Sequence, residues 1–333
     1  MKFRSKNLLV TGGAGFIGSN FIELILNKYK NVNIINLDLL TYAGNLDNTL
    51  SFKNFKNYKF IKGDICDYIL LKEIFENYKV DGVINFAAES HVDNSIVNPG
   101  IFMRTNILGV YNLLKISYEK WMHCNFKYKS EFKHSRFHQI STDEVYGSND
   151  EGSSKETDRH MPNSPYSASK SSADMIVRSF NKTYGLNTTI TCSSNNFGPN
   201  QHSEKFIPKL INCLIKNYEI PLYGDGNNVR DWIYVKDNCD AIIKVYNKAE
   251  NGEVYNIASN NELSNIEMIN LFSKVLNVKP KIKFVPDRFG HDKRYSLSTQ
   301  KIKDKLNWKS EFNFKEIIKN YALKQKKKID ENQ

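Results

Sequence analysis

Asn7-Leu-Leu-Val-Thr-Gly-Gly-Ala-Gly-Phe-Ile-Gly18 is the stretch that decides the fold of this chain. Its first half, Asn7 to Thr11, is apolar and reads as a short buried strand. Glycines follow at 12, 15 and 18, and then a helical pattern runs through Phe21, Ile22, Leu24, Ile25 and Leu26. Gly12 permits a tight turn, Gly15 lets backbone approach a pyrophosphate at the helix N-terminus, and Gly18 lets helix and strand pack closely. Glycines so spaced are a weak signal alone. Set between a strand and a helix, they mark a dinucleotide-binding turn.

Working outward, a second strand, Val32 to Leu37, ends at Asp38, 20 residues after Gly18. An acid there binds the ribose diol of adenosine and repels a 2′-phosphate, which favours NAD over NADP. The plainer alternative for Asp38 is a turn or capping aspartate. A third strand, Tyr58 to Ile61, leads into Gly63-Asp64-Ile65, where Asp64 can meet the adenine. A fourth, Gly82 to Phe86, runs into Ala87-Ala88-Glu89-Ser90-His91. The two alanines let backbone lie against a cofactor, whereas His91 is open to a structural or a functional reading. The pattern predicts a long helix over Ile101 to His123, a polar, basic surface loop over Asn125 to Ser135, and a fifth strand over Phe137 to Ile140. A sixth, Thr188 to Cys192, ends at Ser194-Asn195.

Strands alternating with helices predict an α/β fold with a doubly wound parallel sheet, Rossmann-like, followed by a smaller C-terminal α/β domain. The expected division is 1–195 for the nucleotide, with 235–258 returning to it, and 196–234 with 259–333 for the substrate.

The chemistry centres on Ser141-Thr142-Asp143-Glu144-Val145-Tyr146-Gly147, with Tyr166 and Lys170 downstream. Tyr166 and Lys170 stand one helical turn apart on one face. An ammonium beside a phenol lowers its pKa from the ordinary ~10, making Tyr166 an acid/base near neutrality. Adjacent Asp143 and Glu144 suit an acid/base split, because like charges push their pKa values apart. Read alone, the two acids are a solvated turn. Arg230 has the fork that suits phosphate oxygens, or is an ordinary exposed arginine beside a turn.

Composition narrows the class. The 333 residues are 40% hydrophobic and 25% charged, as in a soluble globular protein. No apolar run is long enough to cross a bilayer. The net charge is +11, but the lysines are spread along the chain, and the one dense run, Lys324 to Lys328, reads as a solvated helix end. An anionic small substrate is therefore expected, with neither a nucleic-acid nor a membrane partner. Five scattered cysteines without a CxxC pair suggest a reduced, cytoplasmic protein with no structural metal.

The sequence resembles the extended short-chain dehydrogenase/reductase superfamily through GxxGxxG at 12–18 and Tyr166-x-x-x-Lys170. Within it the chain is similar to the nucleotide-sugar 4,6-dehydratases. That closer likeness rests on Asp38-Leu-Leu-Thr-Tyr-Ala-Gly-Asn45, Ala87-Ala-Glu-Ser-His-Val-Asp93, Ser141 to Gly147 and Ser164-Pro-Tyr-Ser-Ala-Ser-Lys170. It continues with Asn195-Asn-Phe-Gly-Pro199, Glu204-Lys-Phe-Ile-Pro208, Arg230-Asp-Trp232 and His291-Asp-Lys-Arg-Tyr295. These strings span residues 7 to about 310.

The resemblance implies a bound NAD regenerated in each cycle, dTDP-glucose as substrate and a 4-keto-6-deoxy sugar nucleotide as product. UDP-glucose is the alternative substrate. A UDP-sugar 4-epimerase is a more distant alternative, since it has no need of the Asp143-Glu144 pair. Implied catalytic residues are Thr142, Asp143, Glu144, Tyr166 and Lys170. Implied cofactor contacts are Gly12, Gly15, Phe16, Ile17, Gly18, Asp38, Thr41, Asp64, Ile65, Ala87, Ala88 and Thr105, together with Tyr166 and Lys170. Implied substrate contacts are His91, Thr142, Asn195, Lys205, Arg230, Asn265, Asp292 and Tyr295. A homodimer through the helices at 101–123 and 166–184 is implied too. Leu39-Leu40, Gln201-His202-Ser203 and the basic insert at 125–135 depart from the family pattern and touch the choice of base more than the reaction.

Overall fold

The structure, a computed structural model, describes residues 2–331. Residues 1 and 332–333, the extremities of the expected domain spans, lie outside the described residues.

Seven parallel strands form the main sheet: β1 (Asn7–Thr11), β2 (Asn33–Asp38), β3 (Tyr58–Lys62), β4 (Gly82–Asn85), β5 (Arg136–Thr142), β6 (Thr188–Ser193) and β7 (Val254–Ile257). Across the sheet they run β7-β6-β5-β4-β1-β2-β3. The order reverses between β1 and β4, and in such sheets ligands bind outside the carboxyl ends of the strands at that switch. One core face, built around Phe21, Ile22, Ile242 and Tyr246, packs helices Phe16–Lys28 and Val235–Lys248 on the sheet. The opposite core, around Leu113, Leu114, Ala173 and Val177, packs Val110–Trp121 and Pro165–Tyr184.

Two smaller sheets build the second lobe. Val229–Tyr234 pairs parallel with Asn195–Phe197 and antiparallel with Glu262–Ser264. Glu219–Tyr223 pairs parallel with Lys281–Val285. A third core holds them against helices Phe206–Ile215, Asn265–Leu276 and Phe314–Asp330. Among the described residues no helix is long and apolar enough to cross a membrane.

Three local expectations are corrected. The fifth strand is longer than Phe137 to Ile140, because its polar ends are satisfied rather than solvated. Arg136, at its start, is buried and donates to the Tyr246 and Ala249 carbonyls at 2.9 and 2.7 Å. A cation there suits the carboxyl end of a helix.

The long helix predicted over Ile101 to His123 is instead Pro99–Phe102, a π-helical segment Met103–Gly109 and the α-helix Val110–Trp121. Such wide turns concentrate at functional sites. This one lets Asn106 accept from the Glu89 amide at 2.9 Å and donate to its carbonyl at 3.0 Å.

The segment expected to be loop at 125–135 carries a hairpin, Met122–Cys124 with Lys127–Tyr128, and a 3₁₀ turn, Ser130–Phe132. Tyr128, whose hydroxyl accepts from the Asn187 amide at 2.6 Å, ties it down.

Candidate active site

Gly12 has φ +69°, and a Cβ on it would stand 2.6 Å from the Ala87 amide nitrogen. A Cβ on Gly18 would stand 2.3 Å from the Gly12 carbonyl oxygen. β1, the turn and the first helix are therefore in backbone contact, and no side chain intrudes where that helix begins. The helix has no side-chain N-cap and no acid in its first turn, so its leading amides face an acceptor from outside the chain. Around it lies a cavity whose wall holds every residue anticipated for the cofactor, from Gly12 through Asp38, Asp64, Ala87 and Thr105 to Tyr166 and Lys170.

The Asp38 carboxylate, at the end of β2, accepts from the Ala14 and Leu40 amides at 2.9 and 2.8 Å. It anchors the turn and also lines the cavity, so both readings of this residue describe it. Asp64 accepts from the Cys66 amide at 2.8 Å and pairs with Arg104 at 2.7 Å. Burial opposes its charge, yet these partners hold its carboxyl below the ordinary value. The bare helix start, the glycine contacts and the acid on the ribose side fit NAD.

A second cavity, about 610 Å³, opens between the sheet and the smaller lobe, and the two share Ser90 and Lys205. His91, Asn195, Arg230, Asn265 and Glu144 line it. Buried polar atoms of Asn195, Gln201, Trp232 and Arg288 on its wall have no hydrogen-bond partner among the described residues. Orphaned groups gathered on one wall suit a polar ligand.

Between the cavities sits the cluster that the sequence singled out. Ser164 caps helix 165–184 by accepting from the Ser167 amide at 3.1 Å, and Pro165 opens the first turn. Such a cap is worth ~1 kcal/mol and fixes where the helix starts, hence where Tyr166 points. Thr142 ends β5 and donates to Asp143 Oδ1 at 3.1 Å, and its side chain favours ionisation of the neighbouring Tyr166 phenol.

Burial drives the Asp143 carboxyl up to about 8, helped by the charge of Glu144 and opposed by Arg230 and Thr142. Its Oδ2 has no hydrogen-bond partner among the described residues. Glu144 is also raised by burial, but Arg288, Arg230 and Lys205 pull it back. The two adjacent acids therefore sit in different fields, as an acid/base division requires.

The tyrosine departs from expectation. Burial pushes the Tyr166 phenol well above its ordinary value; Glu144 and Asp143 add to this, and Thr142 opposes it. Lys170 does not lower it, because its ammonium donates to the Ile140 carbonyl at 2.5 Å. Burial depresses Lys170 itself, and Asp174 opposes that.

Arg230 is 5% exposed, not an ordinary surface arginine. It donates to the Val229 and Asp292 carbonyls at 2.7 and 2.9 Å. Asp292 and Tyr295 stand behind it: the Tyr295 hydroxyl donates to Asp292 Oδ2 at 2.6 Å, and neither residue is on the cavity wall. His91 caps the short helix Val92–Val97 by accepting from the Asn94 amide at 3.3 Å, while also facing the cavity.

The sequence reading passed over Asn106, Glu89, Asp174 and Arg288. For Arg288 the signal was its place three residues before His291. The other three are buried polar residues whose roles depend on partners far along the chain.

A doubly wound sheet with a glycine-rich first turn, an acid closing β2 and a Tyr-x-x-x-Lys pair over β5 defines an extended short-chain dehydrogenase/reductase. Sequence comparison carries this further. The chain belongs to the family described as GDP-mannose 4,6 dehydratase, whose model matches residues 9–321. Among curated relatives, the dTDP-glucose 4,6-dehydratase of Xanthomonas campestris pv. campestris is 43% identical over 321 residues, 93% of this chain and 90% of that protein. Among solved structures, the dTDP-glucose 4,6-dehydratase of Streptomyces venezuelae, determined with NAD bound, superposes with a TM-score of 0.89 at 39% identity, covering 97% of each chain. A UDP-glucose 4-epimerase of Thermotoga maritima shares the fold with a TM-score of 0.86 at 28% identity, covering 97% of this chain and 99% of that one.

Proposed function

We propose that this chain is a dTDP-glucose 4,6-dehydratase, a hydro-lyase that converts dTDP-glucose to dTDP-4-keto-6-deoxyglucose and water. One observation carries the reading over a 4-epimerase: Asp143 and Glu144, held in different fields, adjoin Tyr166 where the two cavities meet. Inverting C4, by removing its hydride from one face and returning it to the other, needs the tyrosine as its only acid/base, whereas expelling O6 needs an acid and a base besides.

Bound NAD would supply the hydride acceptor for oxidation at C4 and the hydride donor for reduction at C6. Gly12, Gly15 and Gly18 leave room for its pyrophosphate, and Asp38 takes its ribose hydroxyls. Tyr166 Oη, steadied by Thr142 and with Lys170 one turn along on the same cavity wall, receives the O4 proton as the 4-keto group forms. That ketone acidifies C5–H. Glu144, the acid held nearer its ionised form by three cations, removes the C5 proton. Asp143, protonated near neutrality, gives its proton to the departing O6, and water leaves. Protonation of C5 then completes the product. Arg230, Lys205, Asn195 and Asn265 hold the nucleotide diphosphate and sugar in the second cavity, and His91 borders them.

The protein acts as a homodimer in the cytoplasm in this reading. Ile101, Leu108 and Met175 expose apolar side chains in the segments expected to pair, and the five cysteines are free.

The test is incubation of purified protein with dTDP-glucose, UDP-glucose and GDP-mannose in parallel. A 4-keto sugar formed from dTDP-glucose, with no net accumulation of reduced coenzyme, is the expected result. Turnover of UDP-glucose alone would reassign the substrate, and a C4 epimer without loss of water would reject the dehydratase.

A further inference from the structure

The chemistry above leaves a buried acid unused. Asp174 lies one turn beyond Lys170 on the same face of helix 165–184, and is 4% exposed. Consecutive residues at the end of β5 grip both charges. The Ile140 carbonyl accepts from Lys170 Nζ at 2.5 Å, and the Ser141 hydroxyl donates to Asp174 Oδ2. Asp174 Oδ1 has no hydrogen-bond partner among the described residues.

The groups around this carboxylate are of one kind except for Lys170. From β6, the Cys192 thiol faces it, and from the 143–146 turn the Tyr146 phenol does. Burial keeps both protonated, so neither supplies a cation. Beyond Tyr146 lie Glu156 and His160, the latter held by the Ser171 hydroxyl at 3.0 Å. Burial drives the Asp174 carboxyl up to about 7, while Lys170 and the Ser141 hydroxyl oppose this; a buried carboxylate and a buried ammonium each cost less in the other's field than alone.

We propose that Asp174 is a positioning residue for the reaction: its carboxylate is the counter-charge that keeps Lys170 an ammonium while Lys170 serves Tyr166. Asp174 lines neither cavity, so it acts on substrate and coenzyme only through Lys170. The pair divides the labour. Ile140 and Ser141 set the positions, and Asp174 sets the charge. The burial that depresses Lys170 is thus countered from behind, on the side away from the ligands. This inference rests on the dehydratase reading.

The experiment is a stopped-flow half-reaction with dTDP-glucose, followed by the absorbance of bound coenzyme, which draws on Tyr166 and Lys170 but on neither Asp143 nor Glu144. It is run across pH for native enzyme, Asp174→Asn and Asp174→Glu, with melting temperature and NAD affinity measured beside it. In Asp174→Asn the pH above which the rate falls should move down by ~1 unit or more, the size expected when a nearby opposite charge is removed. Asp174→Glu should restore it. If the asparagine variant melts far below native enzyme, Asp174→Ser removes the same charge in a smaller volume and gives the same reading. A limb that stays in place in a folded, charge-free variant overturns the proposal alone. No half-reaction in native enzyme overturns the dehydratase reading and this proposal with it.

Discussion

The Arg230 guanidinium lies over the Tyr295 ring, 4.3 Å from its centroid, while Tyr295 in turn donates to the carboxylate of Asp292. The cation is thus held from below by an aromatic face and at its edges by backbone carbonyls, and it lines the substrate cavity. A stacked, forked cation is not replaceable by an ammonium. Arg230→Lys should raise KM for dTDP-glucose about tenfold, the equivalent of one charge-assisted hydrogen bond. Tyr295→Phe keeps the ring and should leave KM near native while lowering stability by ~1 kcal/mol. Tyr295→Leu loses the face and should raise KM. Initial-rate kinetics and thermal melts of the three variants check this.

Asp143 gives the reaction its alkaline limit. A carboxyl pushed up to about 8 keeps its proton at neutrality and loses it as pH rises through that value. Turnover that needs this proton should fall above about pH 8. Asp143→Asn should cut kcat by ~10²- to 10⁴-fold, the usual contribution of a general acid. Stability follows the same sign. The unfolded chain releases the proton near ~3.9, the folded chain near 8, so folding loses stability as pH climbs between them. The melting-temperature difference between Asp143→Asn and native enzyme should therefore favour the variant increasingly from pH 5 to 9.

Gly18 packs where no side chain fits. A Cβ there would meet the Gly12 carbonyl at 2.3 Å and the Gly13 Cα at 2.9 Å, both backbone. Backbone cannot rotate aside, so Gly18→Ala must push the first helix away from the turn. Overpacking of this kind costs ~1–3 kcal/mol. The displacement also moves the leading amides that face the pyrophosphate. Calorimetry should show weaker NAD binding together with a lower melting temperature. Gly152, with φ +71° but open space around it, is the contrast: Gly152→Ala should leave NAD affinity unchanged.

How much of this was legible follows from the range of each interaction. The main sheet could be read because β-strands such as Leu8-Leu9-Val10 announce themselves by local apolarity, and the glycine-rich turn, Asp38, Asp64 and Ala87 each followed one. Arg136 and Ser141 could not be read as strand, since their burial depends on the Tyr246 and Ala249 carbonyls and on Asp174, far along the chain. The interrupted helix at 99–121 escaped because π-helical winding at Met103–Gly109 leaves the apolar period of its neighbours intact. At the site, spacing along one helix brought Tyr166 and Lys170 to a single face, and there sequence is a sound guide. It was no guide to the sign of the field on the phenol. That sign depends on burial and on where the Lys170 ammonium points, and Ile140 takes it. Asp292 and Tyr295 show the same limit: a motif made them substrate contacts, but packing sets them off the cavity wall, supporting Arg230 from behind.

Asp38 decides between the two nicotinamide coenzymes, and does so while already holding two backbone amides. A 2′-phosphate on the ribose would bring two negative charges against a carboxylate that is 8% exposed and largely unscreened. The next side chain, Leu39, lines the same cavity and offers no cation to offset them. NADP should therefore bind at least ~100-fold more weakly than NAD, about 2.7 kcal/mol on the tenfold-per-1.4 kcal/mol scale. Asp38→Ala alone should not convert the enzyme, because the amides of Ala14 and Leu40 would lose their acceptor at ~1–3 kcal/mol each, and NAD affinity should fall with stability. Asp38→Asn keeps an acceptor for one amide and removes the charge, so it should narrow the gap between the coenzymes with a smaller loss of melting temperature. Titration of both variants with NAD and NADP separates electrostatic exclusion from turn support. Equal binding of the two coenzymes by the native protein would remove Asp38 from the discrimination altogether.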